Sequence, residues 1–112
     1  MTEQRHISGF LGTGAQWKGD LTFEGRMRID GTFQGRVFSE DLLEVGPSGL
    51  IEGQVDVHDA IIAGTVDGKL RVRGHLLVEA TGFILGELTV NRMEVRPGGS
   101  VRARITRLKK EK

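Results

Sequence analysis

Apolar and polar residues alternate around a central small residue in six segments of the chain. In each segment, apolar residues stand two positions before and two positions after that residue, and successive segments begin 16, 18, 15, 18 and 17 residues apart. Because alternation with period two places every second side chain on one face, the pattern predicts six strands that each turn one face inward. The central residues are Gly19, Gly35, Gly53, Gly68, Gly86 and Ala103.

A second spacing lies inside the repeats, where inward positions recur six residues apart. Three inward positions in a repeat of about 17 residues indicate a coil with three short sides, and such coils stack with about 4.8 Å between paired strands. The residues therefore predict an all-β, single-domain β-solenoid (β-helix) of about six three-sided coils. The sets are Trp17, Phe23 and Ile29; Phe33, Ser39 and Val45; Ile51, Val57 and Ala63; and Val66, Val72 and Val78, with Ser39 as the polar exception.

Glycine usage supports this geometry, since the chain has 17 glycines in 112 residues, about twice the ordinary share. We expect the five central glycines to stack in a column where a side chain would crowd the interior. A helix is disfavoured, because each interior glycine costs about 1 kcal/mol. The residues expected at the bends between strands are Gly31, Gly46, Gly49, Gly82, Gly98, Pro47 and Pro97.

Composition excludes several classes of protein. The chain has no cysteine, which excludes a disulfide framework and a thiolate metal site. The chain contains no run of 18 apolar residues, so no transmembrane helix is predicted. Met1 to Ser8 lacks the basic and apolar regions of a signal peptide. We therefore expect a cytoplasmic protein.

Charge divides along the chain although the formal net charge is only +1. Residues 92–112 contain eight basic and two acidic side chains, whereas the remainder contains eight basic and thirteen acidic ones. A basic end favours anionic surfaces, although it also serves as a solubilising tail. The candidate contacts with an anionic partner are Arg102, Arg104, Arg107, Lys109 and Lys110.

The two ends of a solenoid expose apolar faces and unpaired backbone unless they are capped. The sequence shows no amphipathic capping helix, so we predict that both ends are polymer interfaces; the alternative is that their apolar residues cap the monomer's own core. At the N-terminal end the predicted interface residues are Ile7, Phe10, Leu11 and Trp17. At the C-terminal end they are Val101, Ile105 and Leu108.

No catalytic, cofactor-binding or metal-ligating site is predicted. The glycines between Gly9 and Gly14 lack the Lys-Ser/Thr pair and the following helix of a phosphate-binding loop. His6, His58 and His75 have no cysteine partner and no second histidine at metal-ligand spacing. We therefore predict that the protein is not an enzyme and needs no cofactor.

Four stretches of the sequence resemble the bactofilin family of bacterial cytoskeletal proteins: GDLTFEGRMRIDG (19–31), LEVGPSGLIEG (43–53), IIAGTVDG (61–68) and VEATGFILG (78–86). The resemblance implies a right-handed β-helix over residues 9–107, a short flexible tail over 1–8 and a basic tail over 108–112. It also implies self-assembly end to end, without nucleotide, into non-polar filaments in the cytoplasm. Such filaments scaffold cell shape or position cell-wall enzymes or chromosome-organising proteins.

The tail before Gly9 differs from the membrane-targeting tails of many bactofilins, because its only basic residue is Arg5 and its strongly apolar residues are Met1 and Ile7. We therefore expect any membrane location to depend on partners, and do not predict nucleic acid as a partner. Two alternatives stay open. One is an acyltransferase-like hexapeptide solenoid, although the six-residue spacing breaks after Ile29 and after Ala63. The other is an adaptor that binds DNA or membrane through the basic end.

Overall fold

The computed structural model describes residues 7–108, and this part of the chain is all-β. Its strands pair in parallel within one sheet. They are β1 (Ile7–Leu11), β2 (Gln16–Phe23), β3 (Arg26–Ile29), β4 (Thr32–Ser39), β5 (Leu42–Val45), β6 (Leu50–Val57), β7 (Asp59–Ile62), β8 (Thr65–Val78), β9 (Phe83–Val95) and β10 (Ser100–Arg107).

Each complete coil has three sides. A long strand forms the first and second sides and bends between them, and a short strand forms the third side. The pairs β2/β3, β4/β5 and β6/β7 make the first three coils, whereas β8 and β9 each run continuously through a whole coil. β1 forms the third side of the coil before them, and β10 forms the first and second sides of the coil after them. The described solenoid therefore has about six turns. The predicted fold class is confirmed.

The bend between the first and second sides is made by the predicted glycine column. The five glycines pair in register, and their φ angles lie between 102° and 137°. A Cβ added at Gly53 would meet the backbone of Gly35 in the preceding coil, with the Gly35 carbonyl carbon at 2.9 Å. The space is thus closed by stacked backbone rather than by interior side chains. Ala103, which pairs with Gly86, bends the last coil without a positive φ.

Inward side chains of successive coils form one continuous core. Its largest fully buried members are Ile29, Phe33, Val37, Leu43, Val45, Ile51, Val57, Ile62, Leu70, Leu76, Ile84 and Leu88. Burying each such side chain contributes about 1.5–3 kcal/mol. The core lies between the three sides of the described coils.

The six-residue spacing is wrong in the third coil, where Ile62 rather than Ala63 faces inward. Ile62 is fully buried and Ala63 is half-buried. Only His58 separates β6 from β7, whereas Glu40 and Asp41 separate β4 from β5. One residue fewer in a corner shifts the alternation by one position, which moves the inward role to the preceding residue.

Ser39 occupies an apolar position because its hydroxyl serves two backbone groups. The Ser39 hydroxyl donates to the carbonyl oxygen of Phe23 at 2.8 Å and accepts from the N–H of Asp41 at 2.9 Å. Ser39 is buried, and its hydrogen bond to the Phe23 carbonyl oxygen is buried with it, so that carbonyl has no water as a substitute. Ser39 thus interrupts the apolar pattern because its hydroxyl hydrogen-bonds this corner to the preceding coil.

Arg73 forms hydrogen bonds that link three coils at the same corner. Its guanidinium donates to Asp56 at 2.9 Å, to Glu40 at 2.6 Å and to the Ser39 carbonyl oxygen at 2.7 Å. It also lies over the ring of Phe38, 5.4 Å from the ring centre. The hydrogen bond to Glu40 is the main cause that raises the pKa of Arg73 above its ordinary value. Arg73 therefore stays charged and links the second, third and fourth coils.

Candidate polymer interfaces

The N-terminal end presents unpaired strand edges and apolar side chains. Within the described chain, β2 pairs only with β4 and β1 only with β3. Trp17 occupies an inward position of this open coil, is 45% exposed and stacks on Phe33 with ring centres 6.3 Å apart. Leu11 and Leu21 are half-buried beside it and pack against the core. The end therefore offers both apolar surface and backbone hydrogen-bonding groups to another molecule.

Phe10 and Ile7 differ from the other residues predicted at this end. Phe10 pairs with Arg28, which places it on the outer wall of the third side, where it is 63% exposed. Ile7 begins β1, but its side chain lies outside the described part of the structure. The inward position next to Phe10 is Gly9, where a Cβ would meet the Met27 side chain at 2.5 Å. Phe10 thus lies beside the open end, not across it.

Gly19 shows that the first coil is shaped to receive another backbone. Its φ is 131°, as in the stacked glycines of the internal coils. Yet a Cβ added at Gly19 would meet only the Trp17 indole nitrogen, at 3.9 Å. The side of the coil that is filled by backbone at Gly35 and Gly53 is therefore open at Gly19.

The C-terminal end is formed by β10 and by the last segment of β9. Three residues hold the inward positions of β10, because they pair with buried residues of β9: Val101, Ile105 and Arg107. Val101 is half-buried and Ile105 is 49% exposed. Leu108 follows the strand, is half-buried, and donates its N–H to the Val90 carbonyl oxygen at 2.8 Å. The structure therefore brings the three residues predicted at this end together on one terminal coil.

Two further residues at this end were missed by the sequence analysis. Met93 and Val95 pair with Leu76 and Val78, which are fully buried, but are themselves 38% and 41% exposed because the described chain adds no third side above them. In the sequence both residues have the pattern of core positions, and alternation does not indicate which coil stays uncovered. Any strand that covered the third side would bury both side chains.

The predicted basic contacts do not form one patch. Arg102 and Arg104 are exposed on either side of the bend at Ala103, so they lie on the first and second sides. Arg107 is exposed at the register of Val90. Lys109 and Lys110 lie outside the described residues. Arg102 and Arg104 flank the apolar surface of the terminal coil, whereas Arg107 holds an inward register position and lines the end surface beside Met93 and Ile105.

The rest of the described chain carries no arrangement typical of a catalytic or metal site. The Nδ1 atom of His58 lies 3.3 Å from a carboxylate oxygen of Asp59. The Asp59 carboxylate also accepts a hydrogen bond from the backbone N–H of His75. Within residues 7–108, no group of three or more histidines and acids is placed to hold a metal ion. The same residues include no helix long and apolar enough to cross a membrane.

Comparison with known proteins agrees with the fold. The family model "Bactofilin: Polymer-forming cytoskeletal" matches residues 9–106. Among curated proteins, the chain is similar to bactofilin BacP of Myxococcus xanthus, with 28% identity over 87 residues that cover 78% of this chain and 36% of BacP. It is also similar to bactofilin BacO of the same organism, with 22% identity over 102 residues that cover 91% of this chain and 81% of BacO. The chain thus spans about a third of BacP. No solved structure matches it.

Proposed function

The chain belongs to the bactofilin family of polymer-forming cytoskeletal proteins, and we propose that it assembles end to end, without nucleotide, into non-polar filaments. The observation that carries the proposal is the exposure of inward-facing apolar side chains at both ends, at positions that are fully buried in the internal coils. These side chains are Trp17 at the N-terminal end and Met93, Val95 and Ile105 at the C-terminal end.

Stacking a second molecule on either end continues what the fold already does. Each added strand gains a ladder of backbone hydrogen bonds, and each half-exposed apolar side chain contributes on the order of 1 kcal/mol when its remaining surface is covered. No conformational change or bound nucleotide is needed to create these surfaces, because the folded monomer already presents them. Assembly therefore depends on concentration alone.

At the C-terminal end, like ends fit about a two-fold axis through Ala103. Val101 and Ile105 each stand two residues from Ala103. An antiparallel contact centred on Ala103 places Val101 of one copy opposite Ile105 of the other, so both apolar pairs close. Arg102 and Arg104 then point to the outside of the filament, where water and salt screen their repulsion. Contacts between like ends give a filament without polarity.

The first test compares two acidic substitutions on β10. Ile105→Asp places a charge in the end contact, whereas Thr106→Asp places the same charge on the outer wall one residue later. Each C-terminal contact contains two copies of Ile105, so a cost of about 2 kcal/mol per copy raises the critical concentration roughly a thousandfold. We expect electron microscopy and high-speed sedimentation without nucleotide to show filaments for wild type and Thr106→Asp, but not for Ile105→Asp. A wild type that stays monomeric at every salt and protein concentration would refute the proposal.

The polarity of the filament is tested by cross-linking, because the chain contains no cysteine. In Ala103→Cys, the new thiol lies on the proposed two-fold axis, and Cα atoms 4.5–5.5 Å apart, as in antiparallel pairs, allow a disulfide. Mild oxidation of filaments should therefore give covalent dimers. Thr106→Cys, which lies away from the axis, should give none. The alternative is head-to-tail stacking, which the chain's six whole turns also allow; Ala103 would then meet Gly19, and Ala103→Cys would not cross-link.

In the cell we propose that the filament is a non-enzymatic scaffold in the cytoplasm, which supports cell shape or positions cell-wall or chromosome-organising partners. The support is membership of a polymer-forming cytoskeletal family. Replacing the chromosomal copy with Ile105→Asp should abolish localised assemblies of a fluorescent fusion, whereas Thr106→Asp should retain them. Localisation that survives loss of polymerisation would contradict the scaffold role.

A further inference from the structure

We propose that the uncovered third side at the C-terminal end binds one extended peptide segment of another protein, which adds to the sheet as a parallel strand. The site consists of residues 92–95 of β9, and we call it the docking edge. The segment begins with an acidic residue and carries apolar residues at its second and fourth positions. The inference deepens the scaffold role proposed above, on which the place of the site in a filament rests, because it states the chemistry that holds a partner.

Only one edge of this part of β9 is paired within the described chain. Residues 92–95 pair with residues 75–78 of the preceding coil, whereas β10 pairs with β9 only as far as Val90. β10 ends at Arg107, and Leu108 donates its N–H to the Val90 carbonyl oxygen. The backbone groups on the other edge of residues 92–95 are therefore available for a ladder with an added strand, which is how extended peptides bind to an open sheet.

The inward side chains of the docking edge belong to a core strand that lacks a cover. Met93 and Val95 point inward, since Leu76 and Val78, with which they pair, are fully buried. Both nevertheless remain more than a third exposed. Side chains alternate between the two faces of a strand, so apolar residues at the second and fourth positions of an added strand would cover both.

The residues that follow β10 do not suit this position. If the pairing of β10 with β9 is counted on past its last residue, Lys110 falls level with Met93. Two residues later, Lys112 falls level with Val95. An ammonium group at an inward position costs free energy unless it is paired. Residues 109–112 lie outside the described part of the chain, and their sequence favours a cover from another molecule.

Charge at the docking edge selects the residues of the segment that face outward. Arg92 and Arg107 are exposed and form no ion pair with the described residues. Together with Met93 and Ile105 they line a groove of about 530 Å³, at the corner where a strand parallel to β9 would begin. Glu94 faces outward two residues after Arg92 and is likewise without an ion pair in the described chain. An acidic residue opposite Arg92 and a basic residue opposite Glu94 are therefore complementary.

The proposed two-fold contact leaves room for this strand in the filament. In that contact β10 of one copy meets β10 of the other, and the described chain puts no strand at that level of the third side in either copy. The two docking edges then lie three strand spacings apart, roughly 14 Å, which is room for two added strands. Each C-terminal junction therefore offers two sites, and partners would be held at a regular spacing along the filament.

A second copy of the chain is the competing occupant, since β1 of a copy stacked head to tail would reach the same edge. Counting along the paired strands of the third side puts Gly9 of that copy level with Met93. It puts Phe10 level with Glu94. A glycine would leave Met93 without a covering side chain, and an aromatic ring would oppose a carboxylate. β1 therefore fits the docking edge less well than the proposed segment.

The test measures binding of a fluorescein-labelled peptide in which Asp-Val-Lys-Val is flanked by glycines. Fluorescence anisotropy is measured with Val101→Asp protein, in which a charge on the first side of the C-terminal contact prevents filaments. We expect saturable binding, and an affinity at least about tenfold lower when Met93→Asp is added, because a charge then lies under an apolar residue of the peptide. Adding Thr106→Asp, on the outer wall of the second side, should leave the affinity unchanged. A peptide with Lys-Val-Asp-Val should bind at least about threefold more weakly, because both its charges oppose like charges.

Completing the third side within the chain gives a second test. Lys110→Val/Lys112→Val places apolar residues level with Met93 and Val95, so the chain's own segment should occupy the docking edge. We expect this variant to bind the peptide at least about tenfold more weakly and, without Val101→Asp, to form filaments as wild type does. Lys109→Val/Glu111→Val adds the same two valines at outward positions and should leave the affinity unchanged.

Three results overturn the docking edge: no saturable binding, equal affinity of the Met93→Asp and Thr106→Asp proteins, or equal affinity of the two peptides. Loss of filaments in Lys110→Val/Lys112→Val also overturns it, because a second copy and not a peptide then covers the edge. A wild type that forms no filaments, while Val101→Asp protein still binds the peptide, refutes the proposed filament and leaves the docking edge standing.

Discussion

Replacing Gly53 with alanine tests why the solenoid needs a glycine in each coil. Gly53 has φ = 137°, which costs an alanine about 1–3 kcal/mol in strain. The added Cβ would also lie against the carbonyl oxygen of Gly35, with the Gly35 nitrogen at 3.1 Å. Overpacking of this kind costs a further 1–3 kcal/mol or so, because one of the two coils must shift. We therefore expect Gly53→Ala to lower the free energy of unfolding by about 2–6 kcal/mol.

Gly19→Ala is the matched control, because it changes the same residue type in the same conformation. Its φ is 131°, but the added Cβ has no backbone within 4 Å. Only the strain of about 1–3 kcal/mol applies to the monomer. The difference between the two variants therefore isolates the contact between stacked coils and should be at least about 1 kcal/mol, or roughly 4–8 °C in Tm.

The measurement is urea unfolding followed by circular dichroism and by the fluorescence of Trp17, the single tryptophan. Both glycine variants are made with Ile105→Asp, so that polymer does not add to the measured stability. If the two alanines lower the free energy of unfolding equally, within about 0.5 kcal/mol, the contact between stacked backbones plays no part. The positive φ angle would then be the whole reason why glycine is needed.

Two corner residues give further tests of stability. Ser39→Val restores the apolar pattern but leaves the Phe23 carbonyl and the Asp41 N–H without their buried partner, so we expect a loss of about 2–4 kcal/mol in the free energy of unfolding; a neutral or stabilising result contradicts this reading. Arg73→Ala removes three hydrogen bonds between coils and should cost about 1–3 kcal/mol by urea unfolding. Arg71→Ala, which removes an exposed side chain of the same type, should cost less than about 0.5 kcal/mol, and equal losses would show that the links made by Arg73 do not matter.

The repeat made most of the fold predictable from the sequence. In five coils, the central glycine with apolar residues two positions away indicates the register, and the strands pair with these glycines aligned. The number of residues in each corner was harder to predict from the sequence. The missing residue beside His58 moved the inward position from Ala63 to Ile62, because a corner of one residue and a corner of two give opposite phases to the strand that follows. Handedness stays an implication of the family, since periodicity is the same in either hand.

The interfaces were less predictable than the fold. Alternation indicates which residues face inward, but not which coil is the last to have a cover, so Met93 and Val95 look like core residues in the sequence. The sequence predicts Phe10 at the N-terminal interface as one of the apolar residues of that end, whereas its register opposite Arg28 places it on the outer wall.

A closed three-sided solenoid separates two kinds of contact by their physics. Its coils leave no free strand edge along the sides, so backbone pairing with another molecule is available only at the two ends. End contacts combine hydrogen bonds with apolar burial, which salt does not weaken. Side contacts depend on exposed charges, which salt screens within a few ångströms at high concentration. A salt titration of the wild-type protein should therefore leave filaments in the high-speed pellet at high salt, whereas Ile105→Asp should give no filaments at any salt concentration.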